Sequence, residues 1–219
     1  MTEIVTGFDD LKTMYYFPSA VYQSMRPDFI PLANELCDEY LKKTGHKSKC
    51  GDIYPADMSL GFQDDPRAAP IADYIKKTAG GILESQGFNM SFFNMRLHEL
   101  WCQEHHKYSN QEEHIHGFGT QITGFYFVNC PKGGSQPMIH DPRPAKKFAN
   151  LPEKNMSQAT YASTMIGFRP EPGMFVFTNS WLPHSFTRNA ADEPSRFIHF
   201  NLSLMPAKQV QEAPATEIV

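Results

Sequence analysis

Cysteine is scarce in this sequence. The four, Cys37, Cys50, Cys102 and Cys130, include no CxxC pair. That spacing supplies neither a disulfide framework nor a tetrathiolate metal site, so they read as reduced thiols of a cytoplasmic protein. No apolar run approaches the roughly 20 residues needed to span a bilayer. The N-terminus, MTEIVTGFDDLK, is too acidic and too poor in apolar residues for a signal peptide. Basic residues form no long run and the formal net charge is -4, so bulk electrostatics do not advertise nucleic-acid binding. No internal repeat is visible.

What is present points to β structure. Aromatic residues make up 13%, with 17 Phe and 9 Tyr, and 17 Pro with 14 Gly provide many turns. A length of 219 residues suits one domain with a single sizeable core. Leu32, Leu36 and Tyr40 recur every four residues and predict a helix from about Asp28 to Lys43, closed by Gly45. Ile71, Ile75, Ala79 and Ile82 predict a second over about Asp65 to Ser85. After Gly87 the texture changes. Residues 90–101, 122–128, 136–141, 174–178 and 196–204 read as strands joined by Gly/Pro turns, the pattern of an antiparallel sandwich or barrel. The expected organisation is one domain over 1–205, helical to about 88 and β from about 89, followed by a flexible tail at 206–219. The polar, aperiodic stretch 144–160 reads as a loop or lid.

Eight of the nine histidines fall between His98 and His199. Within that stretch, His114-Ile115-His116 places two imidazoles at positions i and i+2, which share one face of a strand and can reach one ion. His184, in Trp181-Leu182-Pro183-His184, follows 68 positions later, enough for intervening strands to return it to the same point. Imidazole suits iron, zinc, copper and nickel. Glu112 shares parity with His114 and His116 and is a further carboxylate candidate. His105-His106, in the polar stretch QEHHKYSNQEE, read as a solvated loop; Trp101 and Trp181 read as packing residues.

Arg196 opens an alternating run and shares parity with Ile198, Phe200, Leu202 and Leu204. A guanidinium facing an apolar interior needs an anionic partner, either a protein acid or a bound carboxylate.

Together these segments, HIHGFGTQITGFYFVNCP, a strand ending in Asp141-Pro142-Arg143, PEPGMFVFTNSWLPHSF and SRFIHFNLS, resemble the iron(II)- and 2-oxoglutarate-dependent oxygenases, and within them a subgroup from bacteria and tailed phages. The resemblance spans about residues 100–205, and the early FPSAVY also fits. It implies a double-stranded β-helix (a cupin-like jelly roll, mainly β) with the N-terminal helices packed outside. It implies iron(II) held by His114, His184 and a third ligand, either His116, where the family norm is a carboxylate, or Asp141. It implies that Arg196, 12 positions after His184, binds the far carboxylate of 2-oxoglutarate, with Tyr126 of the ITGFYF strand assisting. The implied reaction consumes O2 and decarboxylates 2-oxoglutarate to succinate while hydroxylating a substrate; a prolyl or other amino-acid side chain, a free small molecule and a modified nucleobase are all open, with a slight preference for the side chain. Two other readings stay open: a three-histidine cupin-like dioxygenase that needs no 2-oxoglutarate, and a non-catalytic jelly-roll binding protein. The sequence is compatible with a homodimer through the helices.

Overall fold

The computed structural model describes residue 14 and residues 16–45, 56–148 and 151–207. The elements run β1 (Val21–Met25), α1 (Ile30–Thr44), β2 (Ala56–Met58), α2 (Ala69–Ser85), β3 (Phe93–His105), β4 (Gln111–His114), β5 (Thr120–Asn129), β6 (Pro137–His140), β7 (Met165–Gly167), β8 (Met174–Asn179), β9 (His184–Phe186) and β10 (Ser195–Pro206). Two sheets face each other, one ordered β1-β8-β5-β10-β3-β2 and the other β4-β9-β6-β7. Every strand pair is antiparallel. This is the double-stranded β-helix the sequence suggests, with both helices outside it.

The helices form where expected. α1 opens with a proline in its first turn and ends at Gly45, whose φ of 66° is the left-handed conformation that glycine adopts at little cost. Their apolar stripes, including Leu36, Cys37, Ile71, Ile75 and Ala79, pack against Leu100, Cys102, Tyr126, Phe175, Ile198 and Phe200 on the outer face of the larger sheet. The inner face carries a second apolar set, Phe125, Phe127, Val176 and Phe197, closed by Phe186 from the smaller sheet. Strands β3, β5 and β10 are therefore buried on both faces, and their parity decides whether a side chain meets the helices or the sandwich interior. Gly124 sits where the outer face leaves no room for a side chain. A Cβ there would lie 2.2 Å from the Val176 carbonyl oxygen and 2.4 Å from the Phe200 ring.

The strands missed by sequence, β1, β2, β4, β7 and β9, have three to five residues each, too few for periodicity to register. β3 runs on to His105, where a solvated loop was expected, because Ser195 of β10 pairs with it. At the other end β10 continues through Pro206, and the Ala207 amide donates to the Phe92 carbonyl, so the expected tail does not begin at 206. Residues 208–219 lie outside the described residues. In the 144–160 stretch, Pro144–Phe148 forms one short 3-10 turn and residues 151–160 contain no helix or strand. No described helix is long and apolar enough to cross a membrane.

Candidate metal centre

Three imidazoles converge at one end of the sandwich. His114 closes β4 and lies directly across the ladder from His184, the first residue of β9. His116 stands just past the end of β4, so the strand pleat does not hold it. Its amide instead donates to the Ser180 carbonyl at 2.9 Å, which ties the turn to the segment leading into His184. The ring centroids of His114 and His184 are 4.5 Å apart, and His116 lies 5.2 Å from each. One ligand nitrogen from each ring comes within 4.8 Å of the others.

The hydrogen bonds select which nitrogen is offered. His184 Nδ1–H donates to the Leu182 carbonyl at 3.0 Å and His114 Nδ1–H to the Glu112 carbonyl at 2.8 Å. A proton on Nδ1 leaves a lone pair on Nε2, the arrangement of a metal-binding histidine. Nε2 of His184 and Nε2 of His116 are buried with no hydrogen-bond partner. A buried polar nitrogen without a partner costs about 1–3 kcal/mol, and a bound cation relieves that cost at both. Burial holds the rings neutral, pushing His184 down to about 3 and His116 down to about 4, with neighbouring imidazoles adding to the effect. Neutral nitrogen donors at this spacing fit a divalent first-row metal ion.

The other residues singled out by sequence lie elsewhere. Asp141 is not among the converging groups. Arg143 donates to it at 2.7 and 2.9 Å and Lys146 sits 3.0 Å away, holding its carboxyl well below the usual carboxylate range. The Glu112 side chain does not join the group either. Arg196 does not face the histidines. Its Nε donates to Glu104 at 2.6 Å and its Nη1 lies 2.7 Å from Asp38 of α1 and 3.1 Å from Asn34. The reason is parity: Arg196 shares the outer face with Ile198 and Phe200, so the protein acids and not a bound carboxylate answer its charge. Tyr126 is on that outer face as well, fully buried, its hydroxyl donating to the Arg26 carbonyl at 2.8 Å. The expectation that Arg196 and Tyr126 share the metal cavity is thus corrected. His105 is fully buried, receiving a bond from Gln103 Nε2 and donating through Nδ1 to Ser135 Oγ, each at 3.0 Å.

The opposite parity of β10 supplies what sequence reasoning passed over. Asn201 reaches His116 Nδ1 at 3.1 Å and Glu99 at 2.5 Å. His199 lies 4.8 Å from His116, centroid to centroid. The alternation Phe197, His199, Asn201 was the available signal. A second acidic group, Asp57, Glu104 and His106, has the spacing of a metal site. However, Arg196 occupies one Glu104 oxygen and His106 lies 3.0 Å from Asp57, so it is an ion-pair network.

A groove of about 610 Å³ is lined in part by Ile139 and Leu182, both neighbours of His184. Its walls also include Tyr16, Phe17, Tyr161, Met165 and Ile166, with Asp141 and Arg143 among the polar residues.

Residues 99–201 match the family model described as "Putative 2OG-Fe(II) oxygenase". No curated protein matches the sequence. Among solved structures, the fold is similar to a Pseudomonas putida prolyl-4-hydroxylase (TM-score 0.56, 10% identity, covering 84% of this chain and 92% of that one). It is also similar to a viral collagen prolyl hydroxylase from Paramecium bursaria Chlorella virus-1 in its 2OG complex (TM-score 0.54, 12% identity, covering 83% of this chain and 94% of that one). A third is the non-heme alpha ketoglutarate dependent epimerase SnoN (TM-score 0.52, 14% identity, 84% and 78%). At such identities the likeness is one of fold.

Proposed function

Because residues 99–201, which carry the three histidines, belong to the 2OG-Fe(II) oxygenase family, we propose that His114, His116 and His184 hold its iron and that the enzyme hydroxylates an amino-acid side chain, prolyl or another, of a peptide or protein. The enzyme is an oxidoreductase that uses iron(II), 2-oxoglutarate and O2. Bound together, these supply the oxidising chemistry. The protein's own part is to bind, orient and exclude water.

The observation that carries the ligand assignment is the convergence of three imidazole nitrogens, with Nε2 of both His116 and His184 buried and unpartnered. His116 is the third ligand in this reading. Asp141 is already engaged by Arg143 and Lys146.

The groove supports a peptide. It lies between β1 and β7, the terminal strands of the two sheets, whose outer edges have no strand partner among the described residues. Free strand edges recognise an extended main chain by adding it as a further strand, while pockets read alternate side chains. Ile139 and Leu182 line the groove from within. Ile139 pairs with His184 across the ladder and the Leu182 carbonyl orients its ring, so a side chain entering between them approaches the metal centre. The prolyl-hydroxylase-like fold accords with this substrate class.

The test is an anaerobic titration of the iron(II)-loaded protein with 2-oxoglutarate, followed by visible absorption. A charge-transfer band is expected for wild type and for Asp141→Ala, and its loss for His184→Ala and His116→Ala. A band that survives His116→Ala but not Asp141→Ala would restore the carboxylate ligand. With O2 and a peptide library, mass spectrometry should find peptides that gain one oxygen atom in step with succinate. Turnover confined to free small molecules would refute the peptide assignment.

A further inference from the structure

His199 is the most unusual polar residue near the metal centre. It is 3% exposed, and neither of its ring nitrogens has a hydrogen-bond partner. Its orientation is nevertheless fixed. The ring stacks on Trp101 at 4.2 Å and 19°, and Phe125 meets it edge-on at 4.9 Å and 86°. Its remaining close ring neighbour is His116, at 4.8 Å. A buried imidazole with both nitrogens unanswered costs several times the worth of an ordinary hydrogen bond. The stacking that fixes it offers those nitrogens no acceptor.

Its place on β10 narrows what the missing partner is. Inward residues on this strand are Phe197, His199 and Asn201. Phe197 is stacked on Phe186 at 4.6 Å, and Asn201 is taken by His116 and Glu99. Asn201 Oδ1 can accept but not donate, so among the described residues of that inward face His199 holds the unused ring N–H, beside one of the three ligand histidines. Yet it is not one of the converging ligands. It makes no hydrogen bond to His116, so it does not act as the orienting partner that Asn201 is, and its free N–H is placed to meet a group bound at the metal. In this family that is a 2-oxo dicarboxylate, and Arg196, the expected cation, faces the helices and is spent on Glu104 and Asp38.

We infer that His199 donates a ring N–H to a carboxylate oxygen of 2-oxoglutarate bound at the metal, taking the co-substrate role that Arg196 cannot fill. This rests on the functional reading above. A neutral N–H donating to an ionised oxygen makes a charge-assisted bond, and the Trp101 and Phe125 rings exclude the water that would weaken it.

The experiment measures 2-oxoglutarate affinity anaerobically on the iron(II)-loaded full chain, by the visible band and by calorimetry, with iron affinity measured on the same samples. His199→Phe keeps an aromatic ring against Trp101 and removes the N–H; His199→Gln returns a donor. Iron affinity should be unchanged in both. The 2-oxoglutarate Kd should weaken about ten- to hundred-fold in His199→Phe, the loss expected for a hydrogen bond to a charged group, and recover in part in His199→Gln. Wild-type 2-oxoglutarate affinity in His199→Phe overturns the inference alone, and so does loss of iron, which would make His199 a ligand. No 2-oxoglutarate binding by wild type would overturn both this and the functional reading. A measurement independent of the variants' folding is histidine NMR of the zinc-substituted wild type. The His199 ring nitrogen resonances should move when 2-oxoglutarate is added, and their failure to move overturns the inference.

Discussion

Asn201 Nδ2 donates to Glu99 Oε2 at 2.5 Å and to His116 Nδ1 at 3.1 Å, leaving Asn201 Oδ1 buried and unpartnered. In that orientation His116 Nδ1 is an acceptor, so the ring's proton resides on Nε2, the nitrogen a metal needs. Turning the amide presents its oxygen to His116 Nδ1–H and frees Nε2. Glu99, whose side chain is 51% exposed, has room to follow the nitrogen. Asn201 is thus placed to set the tautomer of His116, the third ligand in the proposed site.

Asn201→Ala should weaken iron(II) binding by about 10–100-fold, the usual cost of losing a hydrogen bond that orients a ligand. Asn201→Asp, which keeps an oxygen acceptor, should lose less. Competition with a chromophoric chelator reads both. Equal loss in the two variants would mean that the residue acts by packing.

Acid should destabilise the metal-free protein well before it protonates the site. Burial pushes His184 down to about 3 and His116 and His105 down to about 4. In the unfolded chain the same rings take up protons below about 6.5. Between those limits the unfolded state binds more protons, so stability rises with pH: it is fully present above about 6.5 and drains away as pH falls toward 4. The urea midpoint should drop between pH 7 and pH 5. His105→Gln, which substitutes a group that does not titrate, should make that drop shallower.

Arg196→Ala should damage stability and spare the co-substrate. The side chains of Arg196 and Glu104 are 18% and 11% exposed, and removing the guanidinium strands a largely buried carboxylate. A loss of about 2–4 kcal/mol is expected from urea denaturation. The 2-oxoglutarate Kd should stay at the wild-type value. A large rise in that Kd with stability intact would return Arg196 to the co-substrate site.

Gly124→Ala should cost more than about 3 kcal/mol or abolish folding, because the new methyl would meet the Val176 carbonyl oxygen and the Phe200 ring inside contact distance. Truncating the obstacle should separate the two clashes. If Phe200→Ala does not recover any of the loss in the double variant, backbone displacement and not the ring is the cause.

The helices, the longer strands and the three histidines were legible in the chain before any fold was known. These depend on local spacing: four-residue recurrence in α1 and α2, alternation in β5 and β10, and the HxH pair with a distal His. Also legible were the parity that Arg196 shares with Ile198 and Phe200, and its need for an anionic partner. Which face that is depends on the packing. Both faces of β10 are buried, one under the helices and one inside the sandwich, and an apolar alternation reads the same for either. Packing of α1 and α2 on the even-numbered face sent Arg196 to Glu104 and Asp38 and turned His199 and Asn201 toward the metal centre. His105 was hidden for a related reason. Polar neighbours made it read as a loop, while its pairing with Ser195, 90 positions later in the chain, placed it in the interior. Local pattern fixes periodicity; which side of a doubly buried strand carries the chemistry is set by what packs against it.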